Sequence, residues 1–327
     1  MKHILSICLT AVILTAAPLS AADPAFRAGT VAVGTDLPKP PAAVNPPTGR
    51  ITLDELLSVR QGEGDWVRLF NGKDLSGFHT YLSGQGNKDP EQVFSVNDGM
   101  IHVFKDTPAG KEMPFGGVIT DKDYGDYHLR FEFKWGTKKF APRADAIRDA
   151  GLLFHCFDED GAFHATWANS VECQIQEKDV GDLYVVGTRI STLVAKEPSE
   201  AGFVASLSSG DEVTVGARDQ VARVVKQGDA ERDGWNTIEV IARGDAAVFI
   251  VNGKPVHYVF DIRQPDPQNE AGWIPLTKGR LWFQAEGAEI MYRHIELRSL
   301  PPIQATSAAP PSATLSVPPP LSPAEAL

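Results

Sequence analysis

The side chains best suited to chemistry sit in two short stretches, GLLFHCF (151–157) and SVECQIQ (170–176). Read as strands, each sends successive side chains to opposite faces, and burial selects the apolar side for the core. Leu152, Phe154 and Cys156 then share the core side, as do Val171, Cys173 and Ile175. The other side collects His155, Glu172 and Gln174. The same parity in YHLRFEFKW (127–135) turns Leu129, Phe131, Phe133 and Trp135 inward and adds Glu132 and Lys134 to the polar set. Carboxylates, an imidazole and an ammonium within mutual reach are the tools of general acid–base catalysis. Leu153 and Phe157 fall on this polar side and indicate a face that is covered or lines a pocket. Cys156 and Cys173 both point coreward. They form either a disulfide, worth roughly 3 kcal/mol on the chain-entropy model, or two small buried thiols.

The elements that must position these residues are strands. WNTIEVIAR (235–243), AAVFIVNGKPV (246–256), GRLWFQAEG (279–287) and EIMYRHIEL (289–297) show the same period of two. Asn252-Gly253, between two apolar runs, is a hairpin turn because both residues tolerate positive φ. Many short strands with regular turn signals predict an all-β sandwich. Thr52-Leu-Asp-Glu55 is a capping box that opens a short helix within 51–64. A single domain is expected over 65–300.

Lys2 and His3 precede an apolar run from Ile4 to Leu19, followed by Ser20-Ala21-Ala22. This is the pattern of a secretory signal peptide cut after Ala22, which predicts a periplasmic or secreted protein not inserted in a membrane after cleavage. The Pro/Ala-rich segments 23–50 and 301–327 lack apolar periodicity and are expected to be a disordered linker and tail. With 31 Lys+Arg against 42 Asp+Glu, the chain carries a formal charge of −11 and is poorly suited to nucleic acid. No G-x-S-x-G, H-E-x-x-H, P-loop or dinucleotide fingerprint occurs, so no nucleotide cofactor is implied. Glu172-Cys-Gln174-Ile-Gln-Glu177 superficially matches a β-glucanase strand. Its central acid is replaced by neutral Gln174, however, and Glu177 has the wrong parity for a carboxylate pair flanking a glycosidic bond.

Eight strings then line up in order: LFNGKDLSGF (69–78), VFSVNDGMIHV (93–103), YGDYHLRFEFKWG (124–136), RDAGLLFHC (148–156), SVECQIQEKDVGDLY (170–184), DGWNTIEV (233–240), VNGKPV (251–256) and GRLWFQAEGAEIMYRHIEL (279–297). Together they resemble the 3-keto-disaccharide hydrolase family, also described as 3-keto-glucoside 1,2-lyase/2-hydroxy-glucal hydratase. The sequence departs from the family pattern at Phe78, Ala150 and Arg293-His294, and segment 190–232 matches little of it. The resemblance implies a concanavalin A-like jelly roll. It also implies a sugar substrate already oxidised at C3 by a separate dehydrogenase. The C3 ketone acidifies the C2 hydrogen, a base removes it, the C1 substituent is eliminated, and water can add back.

On that reading Glu172 or His155 is the base, and Gln174 and Lys134 orient the sugar or stabilise the enolate. Glu132, Asp149, Glu177 and Asp182 are further candidates for the groove and its rim, with Trp167 and Trp282 as stacking platforms. A divalent cation held by His155, Glu172 and a neighbour is a second means of polarising the ketone, although the sequence carries no metal-spaced motif. The alternative class is a non-catalytic, lectin-like module that binds unoxidised glycans.

Overall fold

The computed structural model describes residues 49–301 apart from Glu63 and Pro198. The expected signal peptide, almost all of the linker and all but the first residue of the tail lie outside the described residues. Two antiparallel sheets pack face to face as a jelly-roll sandwich, as expected. The larger runs Asp211–Val215, Arg189–Val194, Lys254–Pro265, Ala246–Val251, Asn236–Arg243, Tyr127–Lys139, Ala288–Ser299, Met100–Val103, Phe94–Asn97. The smaller runs Val221–Val224, Leu183–Val186, Ser170–Gln174, Gly151–Cys156, Lys278–Ala285, Gly116–Thr120, Phe78–Leu82. Short strands attach at Val67–Arg68 and Trp273–Pro275 in the first sheet and at Tyr124–Gly125 in the second.

The inward parity read from the sequence builds the core. Leu129, Phe131 and Phe133 of the larger sheet meet Leu152, Phe154, Val171, Cys173 and Phe283 of the smaller. Phe131 stands edge-on to Phe283 with ring centroids 5.1 Å apart, a favourable quadrupole geometry. Asn252 (φ 49°) and Gly253 (φ 83°) turn the hairpin between Ala246–Val251 and Lys254–Pro265. The turn is anchored because Asn252 Nδ2 donates to the Ala230 carbonyl at 2.8 Å.

The capping box is formed: Thr52 N–H donates to the Glu55 carboxylate at 2.7 Å, and Glu55 N–H to Thr52 Oγ1 at 3.3 Å. The helix Leu53–Ser58 lays Leu56 on Ile241, Val248 and Ile250, which point out of the larger sheet. Burying these apolar side chains closes that face and explains why its strands are apolar on both sides.

Three parity expectations are corrected here. His155 has φ 54°, and the pairing register with Lys278–Ala285 slips between Arg280 and Trp282. This bulge turns His155 inward, against Tyr127 and Phe154 of the core, and turns Cys156 outward among Ile119, Leu153, Trp167 and Trp282. The two buried cysteines therefore face opposite sides of the sheet and are free thiols, not a disulfide. Glu132 and Lys134 belong to the larger sheet, so their outward face is not that of Glu172.

Candidate carboxylate site

On the outer face of the smaller sheet, the strands Ser170–Gln174 and Lys278–Ala285 flank Gly151–Cys156. Glu172, Gln284 and the residues just beyond the strand ends converge there. Glycine at 151 makes room for these side-chain ends, since a Cβ there would lie 2.0 Å from Glu172 Oε1 and 2.5 Å from Gln284 Oε1 and would push them aside. The absence of a side chain lets a carboxyl and an amide close over the backbone.

Asp149, Glu172 and Glu286 are 3%, 5% and 4% exposed, so three carboxyls share a nearly dry cluster. Arg143 reaches in from the loop 140–150. Its Nη2 is in ion-pair contact with Asp149 Oδ2, and its Nη1 is 3.8 Å from Glu286 Oε1. Gln176 Nε2 donates to Asp149 Oδ2 at 2.7 Å. One guanidinium cannot balance three buried carboxylates, so protons must be retained. Burial, reinforced by the Asp149 charge and opposed by Gln284, pushes the Glu172 carboxyl up to about 8. Burial raises Asp149 as well, against Arg143 and the hydrogen bond from Gln176. Glu286 is raised well above the usual range through burial and the Asp149 charge, with Arg143 opposing. Such a group exchanges protons as a unit.

Several polar atoms of this cluster have no hydrogen-bond partner: Glu172 Oε1, Gln284 Oε1, Asp149 Oδ1 and Arg143 Nε. Buried polar atoms are rarely left so. Tyr184 sits opposite Glu172 in the strand register and extends the polar face. Behind the cluster, the buried Tyr292 hydroxyl donates to the Gln284 carbonyl at 2.8 Å.

Of the residues singled out from sequence, Glu172 and Asp149 come together here. Gln174 lies on the same face, with its Oε1 accepting from Ile175 N–H at 2.8 Å. His155 does not join them. Burial pushes its imidazole down to about 3, against the Leu276 carbonyl, and it faces the opposite side of the sheet from Glu172. The pair expected to hold a divalent cation is therefore not formed, and no cluster of three His, Cys, Asp or Glu suited to a metal occurs among the described residues.

The remaining candidates lie elsewhere. Asp182 is fully buried, accepting from Arg223 Nε at 2.8 Å and Lys226 N–H at 2.9 Å. Glu177 is bound by Arg148 at 3.0 and 3.1 Å, and that hydrogen bonding lowers its carboxyl. Glu132 is held on the far sheet by Arg293 Nε at 2.7 Å, and Lys134 lies 5.4 Å from the Trp235 ring centre. Trp167 and Trp282 are buried edge-to-face with centroids 5.8 Å apart, covered by the 157–169 loop that carries Phe163, so they present no stacking surface. Arg143, Glu286 and Gln284 were not singled out from sequence. Parity in WFQAEG (282–287) would have found Gln284 and Glu286, whereas Arg143, on an irregular loop, had no periodic signal.

The 3-keto-alpha-glucoside-1,2-lyase-like domain family matches residues 65–298 of the chain. Among curated proteins there is no match. Two solved structures from Parabacteroides distasonis ATCC 8503, each provisionally named a glycosyl hydrolase, are similar to it. One is 17% identical over 77% of this chain and 99% of its own, with a TM-score of 0.43. The other is 22% identical over 72% and 100%, with a TM-score of 0.41. A carbohydrate binding module from Bacillus subtilis is 8% identical over 68% and 96%, with a TM-score of 0.37.

Proposed function

Since the chain belongs to the 3-keto-alpha-glucoside-1,2-lyase-like family, we propose that it cleaves 3-keto-glycosides at the carboxylate cluster. Glu172, in its ionised form, takes the C2 proton, and the electrons of the C–H bond pass into an enolate on the C3 oxygen. The Arg143 guanidinium is the available electrophile for that oxygen. The enolate then re-forms the ketone, a C1=C2 double bond appears, and the C1–oxygen bond breaks. The departing oxygen takes a proton from Glu286, whose carboxyl is raised well above the ordinary range by burial and the Asp149 charge. Addition of water, with hydroxide to C1 and a proton to C2, completes hydrolysis. A carboxyl raised to about 8 is a far stronger base than an ordinary glutamate, as abstraction of a proton from carbon requires.

The observation that carries this reading is the buried, unpartnered Glu172 Oε1 beside Asp149 and Gln284. Export through the 1–22 segment and supply of substrate by a separate C3 dehydrogenase complete the proposal. The test is release of the aglycone from a 3-keto-glucoside and from its unoxidised parent. Wild type is expected to act on the first only, and Glu172→Gln on neither, while keeping its circular dichroism. Full turnover by Glu172→Gln would overturn the assignment, and binding without turnover by wild type would make the chain a lectin.

A further inference from the structure

A groove of about 630 Å³ opens at one end of the sandwich, lined among others by Lys134, Trp135, Arg148, Glu177, Glu231 and Asp233. It is distinct from the carboxylate cluster. Arg148 and Glu177 line it, while their chain neighbours Asp149 and Gln176 join the cluster, and successive residues of an extended chain point to opposite sides. The Glu177 N–H donates to the Arg148 carbonyl at 2.9 Å, so this two-chain ladder separates the two sites.

The walls of the groove are fixed in advance. The Arg148 guanidinium is locked between Glu177, at 3.0 and 3.1 Å, and the Gly136 carbonyl at 3.0 Å. Glu231 accepts the Lys178 N–H at 2.6 Å. Four cationic and four acidic side chains line the groove, so it carries no net formal charge. A net-charged ligand gains little there, since attraction and repulsion cancel. A neutral polyol gains from both signs. Carboxylates accept from hydroxyls, guanidinium and ammonium groups donate to them, and an indole face takes up the apolar face of a sugar ring. The volume falls within the usual range for small-ligand sites, roughly 300–1,000 Å³.

We propose that this groove binds a neutral glycan segment, with one pyranose ring against the Trp135–Arg148 pair, whose guanidinium lies 5.5 Å from the indole centre, and its hydroxyls on Arg148, Glu177 and Glu231. The inference stands whether or not the chain cleaves 3-keto-glycosides. The same chemistry serves either the distal rings of the substrate or a separate glycan.

The test is calorimetric titration of the full chain with unoxidised gluco-oligosaccharides of one to four rings, in α and β linkage, with an oligouronide as charged control. Affinity is expected to rise from one ring to two or more and to exceed that for the oligouronide. Trp135→Ala should lose at least tenfold. Because Trp135 also packs on the core, Lys134→Ala and Asp233→Ala test the rim without disturbing it and should lose several-fold. A KM for a 3-keto-oligosaccharide that rises in Lys134→Ala assigns the groove to the substrate; binding losses without that rise assign it to a separate glycan. No binding at any length, equal binding by all variants, or preference for the oligouronide overturns the proposal. Turnover of a methyl 3-keto-glucoside by wild type reads the catalytic proposal separately.

Discussion

Replacing Glu172 with Gln should make the protein more stable while it abolishes turnover. The carboxyl titrates near 4.5 when free and at about 8 in the fold. Between those values the folded protein holds a proton that the unfolded chain has shed. The unfolded state therefore binds fewer protons, and stability falls as pH rises. The contribution is full below about 4.5 and is lost as pH climbs through about 8. Integrated to pH 7, one such group costs roughly 3 kcal/mol. Glutamine carries no proton to lose, and its amide can donate to Gln284 Oε1, which has no partner. Urea unfolding at pH 5, 6, 7 and 8 should give nearly equal stabilities for the two proteins at pH 5. The gap should then widen with pH in favour of Glu172→Gln. Parallel stability curves, or a variant that is weaker at pH 8, would refute the claim that Glu172 is kept protonated by its surroundings.

Removing the cluster's cation should do the opposite: Arg143→Ala leaves buried carboxylates without their partner and should cost roughly 3–5 kcal/mol, more at pH 8 than at pH 5 in the same unfolding series. Gly151→Ala drives a methyl into the Glu172 carboxyl and should cost roughly 1–3 kcal/mol by overpacking, with loss of turnover in the aglycone assay. His155 is held neutral by burial, with its imidazole at about 3 against an ordinary 6.5. Here the unfolded state binds the extra proton, so stability is lost as pH falls from about 6.5 toward 3. His155→Leu should make that acid limb shallower in thermal melts between pH 4 and 7, the remainder belonging to His257, whose imidazole burial lowers to about 4, while leaving the slope from pH 7 to 8 in place.

Much of the architecture was legible because period-two alternation is what a sandwich imposes on its strands. Leu129, Phe131, Phe133, Leu152, Phe154 and Val171 all point where the pattern placed them. The failures have two physical causes. Alternation says which side of a strand a residue takes but not which sheet the strand joins, so Glu132 and Lys134 were grouped with the wrong partners. It also assumes uninterrupted register, and the left-handed residue at 155 reverses His155 and Cys156. Glu172 was legible because its strand is regular up to Gln174. Arg143 was not, because a loop side chain that reaches a site across space leaves no trace in local spacing. Trp167 and Trp282 illustrate a third limit: sequence can place an aromatic on the outer face, but not the loop that covers it.

The segment entering the domain and the segment leaving it meet on one flank, where Ile51 and Leu300 belong to a single apolar cluster on the outside of the larger sheet. Glu172 and its companions lie on the outer face of the smaller one, nearly buried. Any fusion partner, affinity handle or surface tether joined at either flank will therefore hang from the outside of the larger sheet, leaving the outer face of the smaller sheet uncovered by it. The same proximity makes a circular permutant, with the two flanks joined and new ends cut elsewhere, a natural variant of this domain to build.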